Sequence, residues 1–342
     1  MKRFTTTLAA LAIIIALGAC KHSTSSTALV YATSEKNGVM VHTISMHNDS
    51  TSVRIEYSGT VTLNEDETAL QSISPNGYIN YMVNGKKAVA QSDAKGAVTY
   101  ILSKDGKSLN AQDAEGKQFL AATIRDLNSY GLNLAQRIDA LYKKGGSDAV
   151  LTETDNVKTD DLKRTCIEYL FAKETLSASE LNAIAGKVSS SIEDDFVKKD
   201  LFIKYSTQFL KNPETIPAYL DAIAQMQTSL PKAQALKAII AQPLSPEIFA
   251  LVLKTAATIR SDYEKAGVLK QLADTNGRTE EDWIALIGES AKIGATAEKT
   301  DVLVHIGQKA PQTENVKAAY MKAANTITAT PEHDRVVKTF VH

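Results

Sequence analysis

The chain has 342 residues, 44% hydrophobic and 23% charged, enough apolar material for two ordinary domains with packed cores, which excludes general disorder and a fibrous class. Its formal net charge is −1, too small to set up a field for a polyanion, so nothing in the composition points to nucleic acid.

At the N-terminus, Lys2 and Arg3 precede the apolar stretch Leu8 to Leu17, about half as long as a segment that crosses a hydrocarbon core. It reads as the apolar region of a signal peptide over residues 1–19. No other segment reaches spanning length. The residues Leu17-Gly18-Ala19-Cys20 resemble the lipobox of bacterial lipoproteins, with Gly18 where that family more often has Ala or Ser. The resemblance implies cleavage before Cys20 and lipidation of Cys20 with palmitate-type chains. Acyl burial contributes about 0.8 kcal/mol per methylene, so two or three chains hold a protein on a membrane.

Residues 20–27, with the polar run His22 to Thr27, then form a lipidated tether. Lys21 stands where an Asp would resemble an inner-membrane retention signal, so the resemblance implies the outer membrane of a cell envelope. With Cys20 acylated, Cys166 is the one remaining thiol; an internal disulfide is excluded and Cys166 reads as a core residue.

From residue 28 to 112 the turn dipeptides Asn37-Gly38, Asn76-Gly77, Asn84-Gly85 and Asp105-Gly106 punctuate short runs rich in Val, Ile, Thr and Tyr. Alternation is clearest at Val39, Val41, Thr43, at Val53, Ile55, Tyr57, and over Tyr78 to Val83. This predicts an antiparallel meander or small sandwich with one wet face. Crossover helices have no room.

Residues 113–146 change period: Leu120, Ile124, Leu127, Leu134, Ile138 and Leu141 make an amphipathic stripe, broken at Gly131 and closed by Lys143 and Lys144 before Gly145-Gly146. This linking helix either packs on the sheet or bridges to the next region.

Over 147–342 the chain repeats itself. Ile259, Tyr263 and Val268-Leu269 are matched by Ile293, Ala297 and Val302-Leu303, then by Ile327, Pro331 and Val336-Val337; backwards, Met226, Ile192 and Val157 hold the first offset. The steps from Val157 are 35, 34, 33, 34 and 34 residues. Each unit fits two helices and two turns. Capping residues fall where such hairpins need them: Ser177 with Glu180, Ser245 before Pro246, Ser261 with Glu264, Thr279 with Asp282, Thr330 before Pro331. Asp160-Asp161 and Glu280-Glu281-Asp282 read as helix starts favoured by the macrodipole rather than as paired catalytic carboxylates. Trp283 and Ile284 read as an inner stripe. One hairpin cannot bury its apolar face, whereas stacked copies share a core. The prediction is an α+β protein whose back half is an α–α solenoid of about six hairpins.

The unit length resembles tetratricopeptide arrays, although the Trp-Leu-Gly-Tyr pattern of that family is missing, and HEAT-like pairing is equally similar. Ser72 to Ile79, Gly145 to Leu151 and Ser261 to Lys265 also resemble extracytoplasmic parts of bacterial sensor metallopeptidases, without the peptidase segment.

Enzyme signatures are lacking. His22, His42, His47, His305, His333 and His342 form no H-E-x-x-H helix and stand near no cysteine pair, and there is no nucleophile elbow, P-loop or dinucleotide fingerprint. No catalytic, cofactor-binding or metal-binding residue is assigned, and no cofactor is expected. The sequence points to a non-enzymatic, membrane-anchored scaffold binding a protein or peptide in the cell envelope along a concave repeat surface, with Cys20 as its lipid contact. The alternative is an extracytoplasmic sensor or regulator, in which the β module binds a ligand and the helices engage a membrane partner.

Overall fold

The computed structural model describes residues 30–36, 39–47, 52–64, 67–173 and 175–341. Cys20, the leader, the tether and the turn Asn37-Gly38 lie outside the described residues. The chain divides into two compact units, Met1–Ala135 and Gln136–His342. Among the described residues no helix is long and apolar enough to cross a membrane.

In the first unit, strands β1 (Val30–Lys36), β2 (Val39–His47), β3 (Ser52–Ser58), β6 (Tyr78–Val83), β7 (Lys86–Ser92), β8 (Val98–Lys104) and β9 (Lys107–Leu109) form one antiparallel sheet in the order β1-β2-β3-β6-β7-β8-β9. Strands β4 (Val61–Leu63) and β5 (Leu70–Ile73) make a separate hairpin between β3 and β6. The meander is therefore interrupted once, and β3 pairs with β6 at Ile55↔Tyr81 and Val53↔Val83.

Two of the turn dipeptides close two-residue hairpins. Asn84 and Gly85 have φ of 46° and 77°, and Asp105 and Gly106 have 52° and 80°, the left-handed pair that matches the twist of the flanking strands. Asn76-Gly77 does something else. It leads into β6, with Gly77 pressed against Ile73 and the carbonyls of Ser58 and Ser74.

One sheet face is apolar because register aligns like with like: Ile44, Ile55, Tyr81, Ala88 and Leu102 lie across five successive strands, all buried. Helix α1 (Ala114–Ser129) covers it, adding Leu127 and the partly buried Phe119 and Leu120 to the same core. The Tyr81 hydroxyl donates to Asp126 Oδ2 at 2.5 Å, so the buried phenol keeps a partner. The 113–146 stripe thus begins as a helix on the sheet, ends at Ser129, and resumes after the break at Gly131 as α2 (Leu134–Asn156), itself interrupted at Gly145 and Gly146.

Gly116 in the first turn of α1 is a point of close approach. A Cβ there would lie 1.8 Å from the Asn110 carbonyl oxygen, and the Gly116 N–H already donates to Asp113 Oδ1 at 2.7 Å. Gly116→Ala is expected to destabilise the first unit by about 3 kcal/mol, the upper range for overpacking. Urea unfolding followed by tyrosine fluorescence checks this.

The second unit is helical. It continues from α2 through α3 (Asp160–Phe171), α4 (Ala178–Ser191), α5 (Asp195–Lys204), α6 (Ser206–Leu210), α7 (Ile216–Ala224) and α8 (Ser229–Ile240). Then follow α9 (Pro246–Ala257), α10 (Asp262–Asp274), α11 (Glu280–Ser290), α12 (Thr296–Gly307), α13 (Glu314–Ala324) and α14 (Thr330–Val341). From α3 onward the helices pack in two rows: α4, α7, α9, α11 and α13 each touch the next of their set, and so do α3, α5, α8, α10, α12 and α14.

The positions that define the sequence period are interior. Val157, Ile192, Met226, Ile259, Ile293 and Ile327 are all buried, and so are Cys166, Leu201, Ala235, Val268, Val302 and Val336 on the second row. Between α5 and α7 the short helix α6 brings Phe209 onto Tyr219, with ring centroids 4.6 Å apart, beside Phe171 and Phe202.

Candidate functional site

The residues singled out by their chemistry do not converge. His42 stacks on Tyr57 with ring centroids 4.9 Å apart and meets Thr33 Oγ1 at 3.2 Å, while His47 is exposed at the far end of β2. His305 pairs with Asp274 at 2.8 Å, and His333 lies 3.3 Å from Asn325 Oδ1. Among the described residues no three His, Cys, Asp or Glu side chains could hold a metal ion together.

Cys166 is fully buried on α3, and burial pushes its thiol up to about 11, against the opposing charge of Arg137. The thiolate is the reactive form. Native protein is therefore expected to leave Cys166 unlabelled by iodoacetamide at pH 8, with labelling appearing only in denaturant. Mass spectrometry of the Cys166 peptide reads this.

The helix starts are built as a ladder. The first residue of each second-row helix is Asp160, Asp195, Ser229, Asp262, Thr296 or Thr330. Asp160 Oδ2 accepts the backbone N–H of Glu193 and Asp194 at 2.9 and 2.7 Å. One helix on, Asp195 Oδ2 accepts from Gln227 and Thr228, both at 2.7 Å. Ser229 Oγ accepts from the Ser261 N–H at 3.1 Å, and Asp262 Oδ2 from the Ala295 N–H at 2.7 Å. Each of these side chains caps the strand of backbone leading into the next helix of its row, where orphan N–H groups need acceptors.

The fourth residue of the same helices is Lys163, Lys198, Lys232, Lys265, Lys299 or His333. Lys163 Nζ donates to the Ser191 carbonyl at 2.6 Å, Lys232 Nζ to the Ala224 carbonyl at 2.8 Å and Thr258 Oγ1 at 3.0 Å, and Lys265 Nζ to the Ala257 carbonyl at 3.1 Å. These ammonium groups sit at the negative C-terminal ends of first-row helices. Burial lowers the affinity of Lys232 for its proton, and the Arg260 charge lowers it further. Asp160, Asp195 and Asp262, like Lys163, Lys232 and Lys265, are thus engaged within the helical unit, and Asp160 goes beyond a macrodipole effect to tie α3 to the segment entering α5.

Ser177 and Glu180, and likewise Thr279 and Asp282, form reciprocal capping boxes. Ser261 accepts from the Glu264 N–H, whose own side chain faces Lys237 at 4.0 Å. That end has a single cap rather than a reciprocal pair. Trp283 is buried on α11 beneath the Arg278 guanidinium, 4.1 Å from the ring centroid.

The second residue of the second-row helices reads differently. Phe196, Leu230 and Tyr263 are 45%, 41% and 74% exposed, and among the described residues they are the large apolar side chains that the helical unit leaves open. They are 34 and 33 residues apart, so they occupy one position on α5, α8 and α10, three consecutive helices of one row. Ala297 and Pro331 continue the position on α12 and α14. Lys199 Nζ lies 5.7 Å from the Phe196 ring centroid.

At the far end of the series Tyr263 borders a groove of about 200 Å³. Its floor is Ala266, Gly267 and Ala297, with Lys237 and Lys270 on the α8 and α10 side and Glu298 and Asp301 on α12. A second groove, of about 520 Å³, lies between α9 and α11 over Phe249, Leu253, Ala285 and Gly288, with the buried Glu289 held by Lys265 at 3.5 Å and Lys292 at 2.8 Å.

Sequence reasoning passed over the exposed row because an aromatic or leucine at a helix start fits an amphipathic stripe. The signal was present in the spacing: three bulky apolar residues one step after the ladder position. Comparison with protein-family models, curated proteins and solved structures finds no match to this chain.

Proposed function

We propose that the protein is a lipid-anchored scaffold of a bacterial cell envelope, held to the membrane through Cys20 and binding another polypeptide along its helical unit without performing catalysis. The helical unit is read as an α–α solenoid of six hairpins of about 34 residues. Support comes from the two rows of helices and from side chains in equivalent places that make equivalent bonds, Asp160, Asp195, Ser229 and Asp262 on four second-row helices and Lys163, Lys232 and Lys265 on three.

The observation that carries the binding role is the row Phe196, Leu230 and Tyr263. Isolated surface apolar side chains are ordinary, whereas a row of them at one repeated helix position is a mark of contact. A repeat array presents such positions along an extended surface, larger than a small molecule needs.

The test is fractionation followed by affinity capture from detergent-solubilised envelope. The expected result is that the full chain sediments with membranes, Cys20→Ala moves to the soluble fraction, and both enrich the same polypeptide. Membrane retention of Cys20→Ala, or enrichment of no polypeptide, contradicts the proposal.

A further inference from the structure

We infer that the corner of the sheet formed by the β6–β7 and β8–β9 hairpins is a docking face for anionic lipid headgroups, with Lys86, Lys87, Lys104 and Lys107 as its contacts. The inference rests on the membrane-anchored reading for proximity alone and adds which part of the chain meets the bilayer.

Strand register gathers the charge. Lys86 lies opposite Lys104, and Lys104 opposite Lys107, so three lysines share one face and one row across β7, β8 and β9. At about 4.8 Å between strands the row spans about 10 Å, close to the screening length at physiological salt. Lys87 is on the other face, opposite Met82 and Ser103. All four lysines are exposed, and among the described residues none has an ion-pair partner. Asp105 is the single carboxylate in the two turns, Asn84-Gly85 and Asp105-Gly106. The Asp105 N–H donates to the Gly85 carbonyl at 3.0 Å, which ties the turns side by side.

This placement has a cost, because like charges directly opposite on neighbouring strands are destabilising. Lysine on an edge strand keeps other chains from pairing with it, and that accounts for Lys107 on β9. It does not account for Lys86 and Lys87 on β7, two strands in from the edge. A negatively charged surface relieves the repulsion of the whole row at once.

The residue types select a membrane. All four cations are lysines, compact point charges that suit a field of mobile headgroups, whereas a single phosphate or carboxylate is better held by the planar fork of arginine. Each basic residue beside an anionic bilayer contributes about fivefold in affinity. Met82 and Ile101, 37% and 63% exposed, stand on the same face as Lys87. Apolar side chains among lysines suit the boundary between headgroups and acyl chains.

Vesicle sedimentation of the full chain carrying Cys20→Ala, which takes the acyl anchor out of the measurement, tests the assignment. Vesicles of equal parts phosphatidylglycerol and phosphatidylcholine are compared with pure phosphatidylcholine. The chain is expected to prefer the anionic vesicles, and combined Lys86→Gln, Lys87→Gln, Lys104→Gln and Lys107→Gln to lower its partition onto them at least about tenfold. The leader is common to both chains, so their difference reads the lysines alone. About 0.5 M NaCl is expected to abolish that difference. The quadruple variant is expected to melt no lower than its parent, since it loses repulsion and no core contact.

Equal partition of the two chains onto anionic vesicles overturns the inference, as does indifference of the parent chain to vesicle charge. Displacement by inorganic phosphate, but not by chloride of the same ionic strength, marks an isolated phosphate site and overturns it too. If the quadruple variant loses the polypeptide captured from envelope yet keeps its partition onto anionic vesicles, the lysines serve that partner, and the inference fails while the scaffold reading stands. Envelope retention of Cys20→Ala in high salt contradicts the lipid anchor and leaves this face untouched.

Discussion

Asp195→Ala is expected to cost the helical unit about 3–5 kcal/mol, the range seen when one member of a buried charged pair is removed. The side chain is buried, accepts the Gln227 and Thr228 N–H groups at 2.7 Å, and faces Lys198 Nζ at 3.2 Å. Alanine therefore leaves two backbone donors without acceptors and strips the buried Lys198 of its carboxylate. Asn keeps an acceptor oxygen without the charge, so Asp195→Asn is expected to recover part of the loss. Urea unfolding monitored by circular dichroism measures both.

The same residue fixes a pH dependence. Burial alone would raise the Asp195 carboxyl, but the Thr228 N–H, the Lys198 ammonium and the Gln227 N–H outweigh it and hold the group below the usual carboxylate range. A carboxyl with a depressed folded value stabilises fully above its unfolded value, about 3.9, and loses that contribution as pH falls through the folded value. The stability gap between the unsubstituted protein and Asp195→Asn is therefore expected to be flat from pH 5 to 7 and to shrink below about pH 4. A gap that widened on acidification would contradict the ladder geometry.

Phe209→Ala is expected to be comparably damaging, about 3–5 kcal/mol, or a fall of roughly 10 °C in melting temperature for a unit of this size. Phe209 is almost fully buried, stacks on Tyr219, and meets Phe171 and Phe202 edge-on with centroids 5.7 and 6.2 Å away. The Thr215 hydroxyl donates to its carbonyl. The residue sits on α6, the five-residue helix between α5 and α7, and its ring joins side chains from both of those helices and from α3. Differential scanning calorimetry reads the loss. A change below about 1 kcal/mol, typical of a surface site, would place this cluster outside the core.

Much of this architecture is legible in the residues. Asn84-Gly85 and Asp105-Gly106 demand left-handed backbone and find it in two hairpins. Ile259, Ile293 and Ile327 mark the step of the helices, and all three are buried. The capping residues Ser177, Ser245, Thr279 and Ser261 each accept a helix N–H. What stays hidden is whatever depends on a distant neighbour. Nothing local tells that β3 skips β4 and β5 to pair with β6, or that α1 lies on the sheet.

Asp160 is recognisable as a helix-start residue, yet its second role is set by Glu193 and Asp194, on the approach to the next helix of its row. Glu264 has the spacing for a reciprocal cap, but Lys237 on α8 offers it a charge partner instead. The exposed row is the extreme case. Phe196, Leu230 and Tyr263 belong to the same residue classes as the core, and only the placement of adjacent helices leaves them open.

Native-state hydrogen exchange across α3 to α14 tests the stacked-hairpin account most directly. Stability that comes from nearest-neighbour contacts predicts protection in blocks of about one hairpin, with the terminal pair α13 and α14 opening at lower free energy than α7 to α10 in the middle of the rows. Amides throughout α3 to α14 opening together, at one free energy equal to that of global unfolding, would contradict it.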